Sequence, residues 1–230
     1  SYLVMVTKQG IIKRISLNAY NTARKGGLIA LELNEGDELA WVRLTDGNQQ
    51  VVVATKNGLA IRFEETDVRP MGRQARGVKA ISLREGDCVV GMCVVANDDL
   101  ILTASETGFG RISNVSDYRL QSRGGKGITN YHTEKYGNVA AVSAVKLTDD
   151  IIIISQEGVI IRIAADTVRI CNRPSKGVTL MRIGENDKVV TVARAPHEDS
   201  ESEKTEETAE EETSEENTAP ETNAEENTEE

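Results

Sequence analysis

The chain has 230 residues and a formal net charge of −10, which taken alone argues against a nucleic-acid partner. The charge is divided: residues 198–230 hold 16 acids and one lysine, leaving 21 acids and 26 bases in residues 1–197. Three cysteines without a C-x-x-C pair, two histidines, no signal peptide and no bilayer-length apolar run argue against disulfide scaffolds, zinc sites and membrane spans, and the chain reads as cytoplasmic.

In chain order, TKQGIIKRI (7–15), TKNGLAIRF (55–63), SETGFGRI (105–112) and SQEGVIIRI (155–163) each set a polar turn with glycine between two apolar runs. This is a β-hairpin signal. The glycines Gly10, Gly58, Gly108 and Gly158 are spaced 48, 50 and 50. A second mark, a basic loop ending in glycine, recurs at Gly27, Gly77, Gly127 and Gly177, 50 apart each time. A third, at NEGDELAWV (34–42), REGDCVVGM (84–92) and GENDKVVTV (184–192), places Asp37, Asp87 and Asp187 in register, while the third repeat has Lys135-Tyr136-Gly137-Asn138 instead. Internal repetition at one period is the signature of a repeat architecture.

Each repeat reads as β. Val51–Thr55 and Leu59–Phe63 flank Asn57-Gly58, Val78–Leu83 alternates with period two, and Val89–Val95 and Val189–Val192 are further apolar runs. The unbroken Ile151–Ile154 predicts a strand buried on both faces. About four strands fit in each repeat, which suits a propeller-type blade. The expectation is an all-β, propeller-like fold of about four blades over residues 1–196, with a solenoid as the alternative. Residues 197–230, almost without apolar residues larger than Ala, are expected to form a disordered acidic tail. It serves either as a solvated solubility device or as a competitor for the body's basic surface, and truncation after Pro196 separates the two.

The cations fall in two places. One set lies on the second hairpin strand: Lys13 and Arg14, Arg62, Arg111, Arg162. The other lies around the second glycine: Arg24 and Lys25; Arg69, Arg73, Arg76 and Lys79; Arg119, Arg123 and Lys126; Arg169, Arg173 and Lys176. A cation recurring once per blade makes a basic track, which is what an evenly spaced line of phosphates needs. For a single arginine, ordinary solvated charge paired with Asp67, Asp117 or Asp166 is the simpler reading; recurrence favours the track. A propeller that binds a protein partner is the rival, and would show an exposed apolar patch instead.

The most glycine-rich of these loops, QSRGGKG (Gln121, Ser122, Arg123, Gly124, Gly125, Lys126, Gly127), is neither a P-loop nor a dinucleotide fingerprint. The order of residues is wrong for either, and no helix follows. The amides of Gly124 and Gly125 are candidates to approach a phosphate. No catalytic constellation emerges: His132 is the one histidine in the body, and no carboxylate pair recurs.

The stretches GGLIALEL (26–33), VRLTDG (42–47), TKNGLAIRF, DVRPMGR (67–73), GVKAI (77–81) and QSRGGKG resemble the C-terminal DNA-wrapping domain of the bacterial DNA gyrase A protein, in order and over residues 1–195. The paralogous domain of topoisomerase IV is a close second. The resemblance implies a six-bladed β-pinwheel that bends double-stranded DNA around a basic rim, of which this chain would hold the last four blades. It also implies partnership with the gyrase B protein and the N-terminal part of gyrase A in a heterotetramer, nucleoid association and negative supercoiling. ATP and magnesium would be used by those other parts, with no cofactor and no topoisomerase activity in this chain. QSRGGKG resembles the family's hallmark heptapeptide but carries Ser122 in a basic slot and sits in a later blade, so it is expected to be a degenerate copy, and DNA binding by this chain alone to be weak.

Overall fold

The computed structural model describes residues 1–21 and 26–197. The expectations for the acidic tail from residue 198, and for Arg24 and Lys25, fall outside the described residues. Residues 1–196 form one unit.

The recurring Ser or Thr three residues before the first glycine explains the hairpins. Gly58 N–H donates to Thr55 O at 3.1 Å, and Leu59 N–H donates to Thr55 Oγ1 at 3.2 Å. Thr7, Ser105 and Ser155 make the same pair of bonds. Gly58 has φ +83°, a left-handed backbone that side chains resist.

Among the described residues fifteen strands follow: β1 (Tyr2–Thr7), β2 (Ile11–Ser16), β3 (Leu39–Thr45), β4 (Gln50–Thr55), β5 (Leu59–Glu64), β6 (Val78–Lys79), β7 (Val89–Val95), β8 (Leu100–Ser105), β9 (Phe109–Asn114), β10 (Ile128–Thr129), β11 (Val139–Val145), β12 (Asp149–Ser155), β13 (Ile160–Ala164), β14 (Val178–Thr179) and β15 (Val189–Pro196). One helical turn, α1 (Thr133–Tyr136), fills the place where the third repeat lacks the aspartate motif.

The sheets are ordered β3-β1-β2-β6, β10-β5-β4-β7, β11-β8-β9-β14 and β13-β12-β15. The four blades are therefore present, but a repeat is not a blade. Each repeat supplies three strands to its own blade, and the second, third and fourth each send a short fourth strand to the blade before: β6 pairs with β2, β10 with β5 and β14 with β9. Of the alternating run 78–83, only Val78–Lys79 is strand, because Ala80 and Ile81 turn inward and are buried.

The core lies between blades. Val51 and Val53 of β4 pack with Val4, Val6 and Ile12 of the first blade, while Val52 and Ala54, on the opposite face, pack with Ile101 and Val142 of the third. Period-two alternation thus becomes a continuous apolar run in a strand covered on both sides. The expectation for Ile151–Ile154 is half met. Ile151 and Ile153 are buried against the third blade, but Ile152 and Ile154 stay half-buried, since no described blade covers their side.

The third sequence mark is a fastener. Asp37 Oδ1 accepts from Gln9 N–H at 3.0 Å and Glu38 N–H at 2.8 Å, tying the hairpin turn to the start of the inner strand. Asp87 and Asp187 repeat this with Asn57 and Cys88, and with Glu157 and Lys188.

Candidate nucleic-acid interface

The loops that carry the second set of cations run along the outer edge of the preceding blade. Met71 N–H donates to Arg14 O at 2.9 Å, Gln121 N–H to Arg62 O at 2.8 Å and Cys171 N–H to Ile112 O at 2.8 Å. On this edge Arg69, Arg76, Lys79, Arg119, Lys126 and Arg169 are exposed. Arg76 Nη2 pairs with Glu32 at 2.6 Å, and Gln121 Oε1, with its amide turned to accept, takes Arg119 Nε–H at 2.7 Å. Lys176 is half-buried with its ammonium 3.6 Å from the centroid of the Phe109 ring.

Arg123 and Arg173 are joints between repeats. Arg123 donates to Asp67 O at 3.0 Å and Lys79 O at 3.1 Å. Arg173 donates to the equivalent carbonyls, Asp117 O at 2.8 Å and Thr129 O, and stacks over Tyr118. Arg73, in the same slot, is half-buried, and its own carbonyl accepts from Lys13 Nζ at 2.6 Å.

The cations of the second hairpin strand do not sit with them. The sequence places Lys13, Arg14, Arg62 and Arg111 on the rim, whereas all four are buried. Arg62 donates to Gln50 and Asn97 and, through Nη1, to Val115 O and Tyr118 O at 3.0 Å each, bridging to the turn of the next repeat. Arg14 lies 3.6 Å from Glu65 and over the Tyr2 ring. Glu65, fully buried, also accepts from Thr45 Oγ1 at 2.7 Å, Gly47 N–H at 3.0 Å and Gln49 N–H at 2.8 Å. Arg162 alone of this set is exposed, and it pairs with Asp150 at 2.6 Å.

Arg111 also occupies a different register. It lies opposite Thr103, as Lys13 lies opposite Met5, whereas Arg14, Arg62 and Arg162 lie opposite Val4, Val52 and Ile152. One residue of offset turns a side chain to the other face. Fully buried, Arg111 donates to Asn130 O and to Asn130 Oδ1 at 3.1 Å, and its guanidinium lies 5.7 Å from the Tyr131 ring. Burial lowers the pKa of Lys13, Arg62 and Arg111 from their ordinary values.

QSRGGKG knits repeats together. Gly124 N–H donates to Ala80 O at 2.6 Å and Ser82 N–H donates to Gly125 O at 2.8 Å, so the Gly124 amide is engaged by protein. Lys126 and Ser122 remain exposed. The inner strands β3, β7, β11 and β15 line a cavity of about 550 Å³ that holds Arg43 and Arg194. Neither recurs between repeats, so periodicity alone gives no sign of them.

A family model described as the DNA gyrase C-terminal domain, β-propeller, matches residues 1–46, 49–95, 99–146 and 149–196, one match per repeat. The chain belongs to this family. The DNA gyrase A protein of Clostridium acetobutylicum is 56% identical over 79 residues, 34% of this chain and 10% of that protein. The gyrase A protein of Halalkalibacterium halodurans is 58% identical over 78 residues, 34% of this chain and 9% of that protein. The matched part thus spans about a tenth of these relatives. Among solved structures, the C-terminal domain of DNA topoisomerase IV superposes with TM-score 0.81 at 26% identity, covering 92% of this chain and 66% of that one. The DNA gyrase A C-terminal domain superposes with TM-score 0.75 at 29% identity, covering 84% and 65%.

Proposed function

We propose that the outer rim binds the backbone of double-stranded DNA with little regard to sequence, as the wrapping module of a type IIA topoisomerase of the gyrase kind. One observation carries this reading: Arg69, Arg119 and Arg169 stand exposed in one slot of three successive loops, and Arg76 and Lys126, with half-buried Lys176, fill another. Cations repeated at equivalent positions offer evenly placed phosphate contacts, and phosphate contacts position a duplex without reading its bases. Membership of the gyrase family supports the same reading. In the whole enzyme the wrap would guide a DNA crossover for ATP-dependent supercoiling, with the gyrase B protein and the N-terminal part of gyrase A as partners, in the cytoplasm on the nucleoid. ATP and magnesium are assigned to those parts and no cofactor to this chain. A topoisomerase IV domain is the second reading, favoured by the TM-score of 0.81.

Fluorescence anisotropy on a duplex of mixed sequence, repeated across salt concentrations, tests the proposal. Log affinity should fall linearly with log salt, by about 0.9 for each phosphate neutralised. The double variant R119A/R169A should weaken binding several-fold and lower that slope by about 2. R111M, altering a buried cation, should leave DNA affinity unchanged. A response flat in salt overturns the reading.

A further inference from the structure

The loops that run along the outer edge carry one kind of exposed side chain that charge does not explain. Across residues 66–79, 116–129 and 166–179 every exposed side chain is charged or polar except Pro70, Leu120 and Ile170. Each of the three directly follows the exposed arginine of its loop, Arg69, Arg119 or Arg169. A single exposed apolar residue is ordinary. Here the same slot is apolar in three successive loops, each time beside the same cation.

The backbone holds this pair of residues from both sides. Before it, Val68, Tyr118 and Val168 are buried, and their amides donate to the carbonyls of Glu65, Val115 and Ala165 at 3.1, 3.0 and 3.1 Å. After it come Met71, Gln121 and Cys171, whose amides are bonded to the blade edge. Pro70, Leu120 and Ile170 themselves form parallel bridges with Arg14, Arg62 and Ile112. Their side chains are thus mounted on fixed backbone and turned to the outside, with Leu120 49% and Ile170 44% exposed. Ile170 lines a groove of about 540 Å³ together with Arg169 and Lys176. Cations beside apolar ground suit a partner whose surface alternates in the same way.

We infer, on the reading of the rim proposed above, that Pro70, Leu120 and Ile170 pack against the deoxyribose edges of the wrapped duplex. Each of these blades then grips with an ion pair to a phosphate and an apolar contact to the sugar beside it. Insertion between base pairs does not suit the geometry. A wedge opens the stack on the side it enters and bends the duplex away from itself, whereas a wrapped duplex closes toward the rim. The two contacts differ in kind. Salt erodes the phosphate contact through counterion release. Buried apolar surface carries no such loss and leaves a negative heat-capacity change instead. A ribose places its 2′-hydroxyl in the minor groove, so the apolar row also favours DNA over RNA.

Binding of a mixed-sequence DNA duplex to the 230-residue chain tests this, by anisotropy across salt and calorimetry across temperature. L120S/I170S should bind several-fold more weakly, by the same factor at every salt concentration. Its slope of log affinity against log salt should match the wild type, where R119A/R169A lowers it. Its heat-capacity change on binding should be less negative, and its preference for DNA over an RNA duplex of the same sequence smaller. L120V/I170V, which keeps the slot apolar, should bind like the wild type. Both side chains are exposed, so circular dichroism spectra should be unchanged. Wild-type affinity in L120S/I170S, a lowered salt slope, or an undiminished preference for DNA would each overturn the inference and leave the row to another partner. A wild type whose binding is flat in salt would instead remove the rim reading, and the inference with it.

Discussion

Arg62 and Arg162 occupy one register on equivalent strands, opposite Val52 and Ile152, and behave differently. Arg62 is 6% exposed and fastens the turn of the following repeat through Val115 O and Tyr118 O. The Arg162 side chain is 42% exposed and turns back on Asp150 of its own blade and on Pro196 O. The residue and its strand are the same; the covering repeat is what differs. A slot in a repeat fixes which groups are offered, and the neighbouring repeat decides whether they become a joint or a solvated charge. Stability in such arrays is a sum of repeat terms and nearest-neighbour interface terms.

The largest effect is expected at the second glycine mark. Gly177 and Gly27 both have left-handed backbones, at φ +82° and +72°. Alanine at either should lose about 1–2 kcal/mol on that account. At Gly177 the added Cβ would also stand 1.9 Å from Gly110 O, and overpacking of this kind costs about 1–3 kcal/mol more. Urea unfolding should therefore show a markedly lower midpoint for G177A than for G27A, and equal midpoints would mean that the junction is not what the glycine serves. Next in size, R62A should destabilise by about 2–3 kcal/mol, since it strands buried carbonyls that a charged donor now satisfies. R162A, at an exposed pair, should cost under about 1 kcal/mol. Equal losses would dissolve the distinction drawn between a covered and an uncovered blade.

The smallest effect concerns Asp187 of the fourth blade. Hydrogen bonds from Ser155 first, then from the amides of Glu157, Lys188 and Gln156, hold its pKa below the ordinary value of 3.8. A depressed pKa means that the stabilisation is complete above 3.8 and is lost as pH falls through the folded value. D187N should remove that part of the acid sensitivity, lying slightly below wild type in stability near neutrality and converging with it at low pH, as thermal melts from pH 2 to 7 would record. An unaltered acid limb would show that the carboxylate is not the group responsible.

Much of this was legible in the sequence, and the limit falls at identifiable places. The period, the hairpins and the all-β class are local properties, written in Thr55-x-x-Gly58 and in the alternation of Val51–Ala54. The exchange of the fourth strand was not legible, because Val78–Lys79 reads the same whichever blade receives it. The rim was half legible. Recurrence identified the slots of Arg119 and Arg169 but could not tell them from that of Arg62, since a buried cation between blades recurs as faithfully as an exposed one. Arg111 was misassigned for a physical reason: with a period of two, a shift of one residue changes face. The recurrence of Asp37, Asp87 and Asp187 has its own cause in the turns those carboxylates fasten.

Because β6, β10 and β14 come from the repeat downstream, no blade is finished by its own residues. During synthesis the outer edge of β2 stays open until Val78 has left the ribosome, and that of β5 until Ile128 has followed. The nascent chain thus always carries one raw edge, which each new repeat closes as it opens the next. Folding advances like a zip with its slider at the ribosome, and a stall between Glu64 and Val78 would leave β2 as a template for any passing strand.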